Sequence, residues 1–157
     1  MRLAMKALAT FLVVFASASF AQQPVSATCS ETSKMTVYSN AYFSDEGGDV
    51  IGYELAVPVN GGSNGRSLLF IYEGEANEVG IELTGRIERS KLSLTGKWVE
   101  HPVEYPSHAK LTQNHSADLQ AIVKLKAIHG ELIIDGASQP IRMKQVRHLW
   151  LCGSVAH

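Results

Sequence analysis

The sequence predicts an all-β protein, a single-domain antiparallel meander that closes on itself as a small eight-stranded β-barrel, with a β-sandwich as the alternative. Three observations carry this reading. Apolar and polar residues alternate with period two in nearly every segment from Thr36 onward, and helical periodicity is scarce. Clusters of Gly, Asn, Asp and Ser interrupt the alternation at short intervals, which joins sequence neighbours as hairpins. Finally, Cys29 and Cys152 stand just outside the first and last predicted strands. A closed meander makes those strands neighbours and brings the two thiols within bonding range.

Taken in order, residues 1–21 read as a signal peptide. Arg2 and Lys6 precede the apolar run Ala7–Phe15, and Ser17-Ala18-Ser19-Phe20-Ala21 puts small residues at both positions that signal peptidase reads. Residues 22–34 form an N-terminal segment and residues 35–157 the barrel-like domain. Its eight expected strands are Thr36–Phe43, Val50–Val59, Ser67–Glu73, Glu78–Glu88, Lys91–Val99, Leu119–Ala127, His129–Asp135 and Ile141–Leu151. The clearest is Glu78–Glu88, where Val79, Ile81, Leu83 and Ile87 face one way and Glu78, Glu82, Thr84, Arg86 and Glu88 the other. Ile51, Tyr53, Leu55, Val57 and Val59 share a face in the second strand, and Leu92, Leu94 and Trp98 in the fifth. Leu68-Leu69-Phe70-Ile71-Tyr72 is apolar on both faces, which predicts a strand covered on each side. Residues 117–127 also fit a helical stripe through Leu119, Ile122, Val123 and Lys126, but the alternation of Leu119, Ala121, Val123, Leu125 and Ala127 favours strand.

Composition narrows the function classes. Removing the leader leaves 136 of 157 residues, enough for one domain with a sizeable core. Arg2 and Lys6 leave with it, so 14 basic against 15 acidic side chains becomes a net charge of −3, which argues against nucleic acid as a partner. No later stretch approaches the ~20 apolar residues of a membrane helix, so no membrane span is expected after cleavage. An isolated cysteine pair in an oxidising compartment bonds to itself, and closing so long a loop stabilises by ~4–5 kcal/mol in the chain-entropy account. Cys29 is not read as a lipid anchor, because Ser26-Ala27-Thr28 lacks the bulky aliphatic residue that a lipoprotein signal carries.

No motif brings a chemistry with it. Gly61-Gly62-Ser63-Asn64-Gly65 matches the G-x-S-x-G of esterases, but a β run follows where that elbow needs a helix, so it reads as a hairpin loop. The longest irregular stretch, Glu100–Asp118, holds His101, Glu104, Tyr105, His108 and His115. Imidazole and carboxylate are zinc or copper ligands, which makes His101, His108 and His115 the metal candidates, yet their spacing fits no metal motif and no cofactor is expected. His129 and His148 fall in predicted strands. Acidic side chains gather at Asp45, Glu46 and Asp49 and again at Glu73, Glu75 and Glu78, without the alternation of a calcium loop; they read as solubilising turns that a basic protein could also use. Gly96-Lys97-Trp98 spells the G-x-W triplet that lipocalins carry on their first strand. Here it lies on the fifth, without the other lipocalin marks, so Trp98 reads as a core or barrel-end plug.

The architecture expected is therefore lipocalin/avidin-like, in a periplasmic or secreted protein. Fold alone does not assign function. The leading expectation is a non-enzymatic binding protein that holds a small apolar ligand or a protein through its barrel-mouth loops, with Tyr53, Trp98, Tyr105, His101 and His108 as candidate contacts. The alternative is an inhibitor of, or partner for, a cationic secreted enzyme. An enzyme is the least favoured class, because no paired carboxylates, triad or metal set has the required spacing.

Overall fold

Eight strands hydrogen-bond in a closed antiparallel ring. The structure, a computed structural model, describes residues 25–26, 29–45, 49–59, 65–74, 79–88, 90–100 and 113–153. Its elements are β1 (Val25–Ser26), α1 (Cys29–Thr32), β2 (Met35–Ser39), β3 (Tyr42–Phe43), β4 (Val50–Pro58), β5 (Ser67–Gly74), β6 (Val79–Glu88), β7 (Lys91–Glu100), β8 (Gln113–Lys124), β9 (Ala127–Ile134), β10 (Ala137–Val146) and α2 (Trp150–Gly153). The ring runs β2-β4-β5-β6-β7-β8-β9-β10 and seals where Val37–Ser39 pair with Lys144–Val146. β1 pairs with β6 outside the ring, and β3 continues beside β4.

Period-two alternation sorts the side chains into two cores. Leu55, Leu69, Leu83, Leu94, Leu119, Ile128, Leu132 and Met143 point inward and are fully buried against one another. A side chain with no exposed surface has no water-sized void beside it, so the middle of the barrel is filled rather than hollow. On the outer wall a second core joins Val37, Val50, Ala56, Leu68, Phe70 and Tyr72 to Leu149, with Trp150, Leu151 and Cys152 packed on it. This outer core explains why β5 is apolar on both faces. α2 lies over it, and the Cys29–Cys152 disulfide ties α2 to α1, with Cα atoms 5.6 Å apart.

The outer core contains one carboxylate. Glu54 is almost fully buried, and its Oε2 accepts hydrogen bonds from the Tyr72 hydroxyl at 2.7 Å and the Trp150 backbone N–H at 2.8 Å. A buried charge is tolerable only when it is satisfied in this way. Burial, the Glu54 charge and that hydrogen bond all push the Tyr72 hydroxyl pKa far above its ordinary value, so the phenol stays a donor. Near α1, Arg66 bridges Glu31 and Glu82, each at 2.8 Å. Glu82 is thus half-buried in an ion pair rather than simply solvated.

Several sequence boundaries need correction. Thr36–Phe43 is not one strand: it breaks at Asn40–Ala41, where the Asn40 side chain takes over the ladder. Tyr53 N–H donates to Asn40 Oδ1 at 2.7 Å, and Asn40 N–H donates to the Tyr53 carbonyl at 3.1 Å. Gly52, at φ +124°, makes room, since a Cβ there would lie 2.9 Å from Ala41 Cα. Residues 117–127 are strand up to Lys124, and the turn falls at Leu125–Lys126, where no glycine marks it. β8 already begins at Gln113, so the irregular stretch is shorter than Glu100–Asp118. The last strand ends at Val146 rather than Leu151, and His148 lies between it and α2.

The strand directions give the barrel two unlike ends. At one, the loop end, the chain passes from β3 to β4, β5 to β6, β7 to β8 and β9 to β10. At the other, the turn end, it passes from β6 to β7 and β8 to β9 in tight turns and from β4 to β5 in a longer connection.

Candidate functional site

Half-buried side chains collect at the loop end, inside the rim. Tyr53, Ile71, Trp98 and Ile134 pack on the inner core without being closed over by it. Each sits on the inward parity of its strand, one or two positions beyond the last fully buried residue. The Tyr53 hydroxyl accepts a hydrogen bond from Gln139 Nε2 at 2.7 Å, which joins β4 to β10 across β2.

Register places Trp98 opposite His115, and their rings stack with centroids 5.1 Å apart. His115 Nδ1 donates to Asp135 Oδ2 at 2.6 Å, while Asp135 Oδ1 accepts from Ser116 N–H at 2.8 Å. Asp135 and Gly136 have φ values of +50° and +81°, the Asp-Gly signature of a two-residue type I′ hairpin, so the turn that joins β9 to β10 also anchors the start of β8. The hydrogen bonds from His115 and Ser116 lower the Asp135 pKa and keep it ionised.

A second group lies at the same rim. Tyr42 and Phe43 are 57% and 56% exposed and, as neighbours on a strand, face opposite ways: Phe43 lies on the outer side in an edge-on contact with Trp150 at 4.8 Å, and Tyr42 on the inward parity with exposed Ile51. Ile51 pairs with Tyr42 on one side and Glu73 on the other, while Val50 pairs with Phe43 and Gly74, so exposed Glu73 shares a row with Tyr42. Exposed Asp45 and Asp49 stand at the facing ends of β3 and β4, although Asp49 and Glu73 are far apart in sequence.

Of the residues singled out from sequence, Tyr53, Trp98 and His115 come together at this end. His101, Tyr105 and His108 lie outside the described residues, as do the leader and the Gly61–Asn64 part of the G-x-S-x-G match. Among the described residues no three His, Cys, Asp or Glu side chains converge to suit a metal ion, and no helix is long and apolar enough to cross a membrane. Sequence reasoning missed Asp135 as the partner of His115; its Asp-Gly turn was visible, but the register linking it to β8 was not. It also missed the row that sets Glu73 beside Ile51 and Tyr42. On the outer wall of β6–β9 an open groove of about 480 Å3 is lined by Arg86, Glu88, Lys91, Gln120, His129 and Glu131, a mixed-sign set that selects no ligand chemistry. No protein-family model, curated protein or solved structure matches this chain.

Proposed function

We propose that this chain is an exported, non-enzymatic binding protein that holds a cationic protein partner on the acidic and aromatic rim at the loop end. The observation that carries this reading is the row Tyr42, Ile51 and Glu73 across β3, β4 and β5, which sets an exposed aromatic ring and a carboxylate on one face of the rim, with exposed Asp45 and Asp49 beside it and Phe43 on the opposite face. Aromatic anchors within a polar, charged rim are the usual energetic centre of a protein interface, and one sign of charge steers the opposite sign toward it. The disulfide supports an oxidising compartment, in keeping with the leader. A filled interior favours surface contact over capture of a small apolar molecule within the barrel. The small-ligand reading retains one specific support, the half-buried Tyr53 and Trp98 inside the rim.

The test measures association of the leader-free chain with small, strongly cationic secreted enzymes, such as a lysozyme and a ribonuclease, at low and high salt. Expected are complexes that weaken as salt rises and that are lost in Tyr42→Ala and Asp49→Lys, while Asp118→Lys, on the outer wall away from these residues, binds as the parent does. No association, or association indifferent to the rim variants, would refute the reading. Quenching of Trp98 by an apolar probe, without any protein complex, would establish the small-ligand alternative instead.

A further inference from the structure

The turn end has the opposite character. It carries the β8–β9 hairpin Lys124-Leu125-Lys126-Ala127, whose tip residues Leu125 and Lys126 both have positive φ, +48° and +61°. Those angles belong to the two-residue turn that Asn-Gly fills with least strain, and a leucine there is conformationally costly. Leu125 gains nothing from the fold in return, since it is 101% exposed.

Register shows what surrounds this tip. Lys124, Ala127 and Lys144 occupy one row across β8, β9 and β10, and Glu88, Lys91, Ile122, His129 and Arg142 the next row across β6 to β10. Both rows lie on the outward parity, and Lys91, Ile122, Lys124, Lys126, Arg142 and Lys144 are all exposed. None of these cations forms an ion pair with a described residue. The two rows nearest the tip thus hold Lys91, Lys124, Arg142 and Lys144 against the single carboxylate Glu88, a basic rim below the mixed-sign wall. It ends in a fully exposed leucine with exposed Ile122 behind it.

We infer that this end is a docking surface for an anionic lipid bilayer, with Leu125 entering the headgroup region and Lys124, Lys126, Lys144, Lys91 and Arg142 facing the lipid phosphates. Charge complementarity selects an anionic partner. The isolated apolar tip flanked by lysines selects a bilayer over a folded acidic protein. A flexible lysine stem can lie along acyl surface while its ammonium stays at the phosphate level, and a lone leucine needs no shaped pocket there. Each lysine near such a surface is worth about fivefold in partitioning. Docking by this end would point the acidic rim away from the membrane.

The experiment is cosedimentation of the leader-free, disulfide-bonded chain with vesicles of phosphatidylglycerol and, separately, of phosphatidylcholine. Binding is expected to the first and not the second, and it should fall as salt rises. The decisive variant is the double change Leu125→Asn with Lys126→Gly, which installs the preferred turn. It should weaken vesicle binding by fivefold or more while its thermal midpoint stays level or rises, so loss of binding cannot be ascribed to misfolding. Equal binding to both vesicle types would overturn the inference, as would binding that the double variant leaves unchanged. Capture of soluble polyglutamate without any vesicle binding would overturn it in favour of an acidic protein partner.

Discussion

The inner and outer cores are built on the two faces of the same strands, yet they hold together by different means. The inner core is apolar almost throughout and is enclosed by the ring, so each strand's burial is secured by its neighbours. Among the described residues it holds one buried side-chain hydroxyl without a hydrogen-bond partner, that of Ser67. The outer core has no ring around it. One terminal segment, Leu149 with α2, covers it, held by a disulfide to α1 and by a carboxylate that accepts from both Tyr72 and Trp150. A closed surface can rely on burial alone, whereas a lid needs specific fasteners.

That contrast can be broken at several points. The largest effect is expected from Cys29→Ser with Cys152→Ser, which removes a cross-link spanning 123 residues and should cost ~4–5 kcal/mol in denaturant unfolding. Single-tryptophan versions would sharpen the comparison: Trp150 should lose its packed signal at lower denaturant than Trp98. Coincident transitions would show that the two cores melt as one unit. Next in size is Leu83→Ala, at ~2–5 kcal/mol, because the residue is fully buried in an enclosed core that cannot collapse around a cavity. Leu68→Ala on the outer face should cost as much in the oxidised protein and clearly less once the disulfide is absent.

Glu54→Ala strips the acceptor from two buried donors and should cost ~2–3 kcal/mol, with Tyr72→Phe costing about half of that. Ser67→Ala has the opposite sign: deleting an unpartnered buried hydroxyl should stabilise by about 1 kcal/mol, and a loss there would mean the inner core is not dry. The smallest effect concerns the β9–β10 hairpin. The folded Asp135 pKa is lowered, so its contribution is present at and above the ordinary carboxyl range and fades as pH falls through the folded value. Asp135→Asn should therefore lower stability slightly at neutral pH and not at all below the folded value, which flattens that acid limb; the effect is small because the carboxylate is exposed.

Eight strands, their inward faces and the disulfide were legible in the sequence because alternation is a local signal and two cysteines admit one pairing. The outer core was half legible: Leu68 to Tyr72 announced a second cover, but nothing local showed that Leu149 to Cys152 would provide it, since that segment read as more strand. Leu125–Lys126 was hidden because it turns without turn residues. At the loop end, Trp98 and Tyr53 were found by their parity. The Asp135 contact and the placing of Glu73 beside Ile51 and Tyr42 depend on register between strands, which single-strand patterns do not encode. Glu82, placed by alternation on the polar face, is held by Arg66 in a partly exposed pair whose removal should still cost no more than ~1 kcal/mol.

The seam where the ring closes has a consequence for how the protein is made. Every other junction of the ring joins strands consecutive along the meander or separated only by β3, but β2 meets β10 only after the rest of the barrel has been laid down. That pairing carries the largest loop-closure entropy, so it is the last step of assembly and the first to reopen. Cys152 also follows all ten strands in the chain, so an unfinished polypeptide has no second thiol with which to trap a wrong shape. Oxidation therefore acts as a latch on a finished object. It should slow reopening of the seam, visible as protection of the Val37–Ser39 amides from hydrogen exchange, far more than it speeds formation of the hairpins.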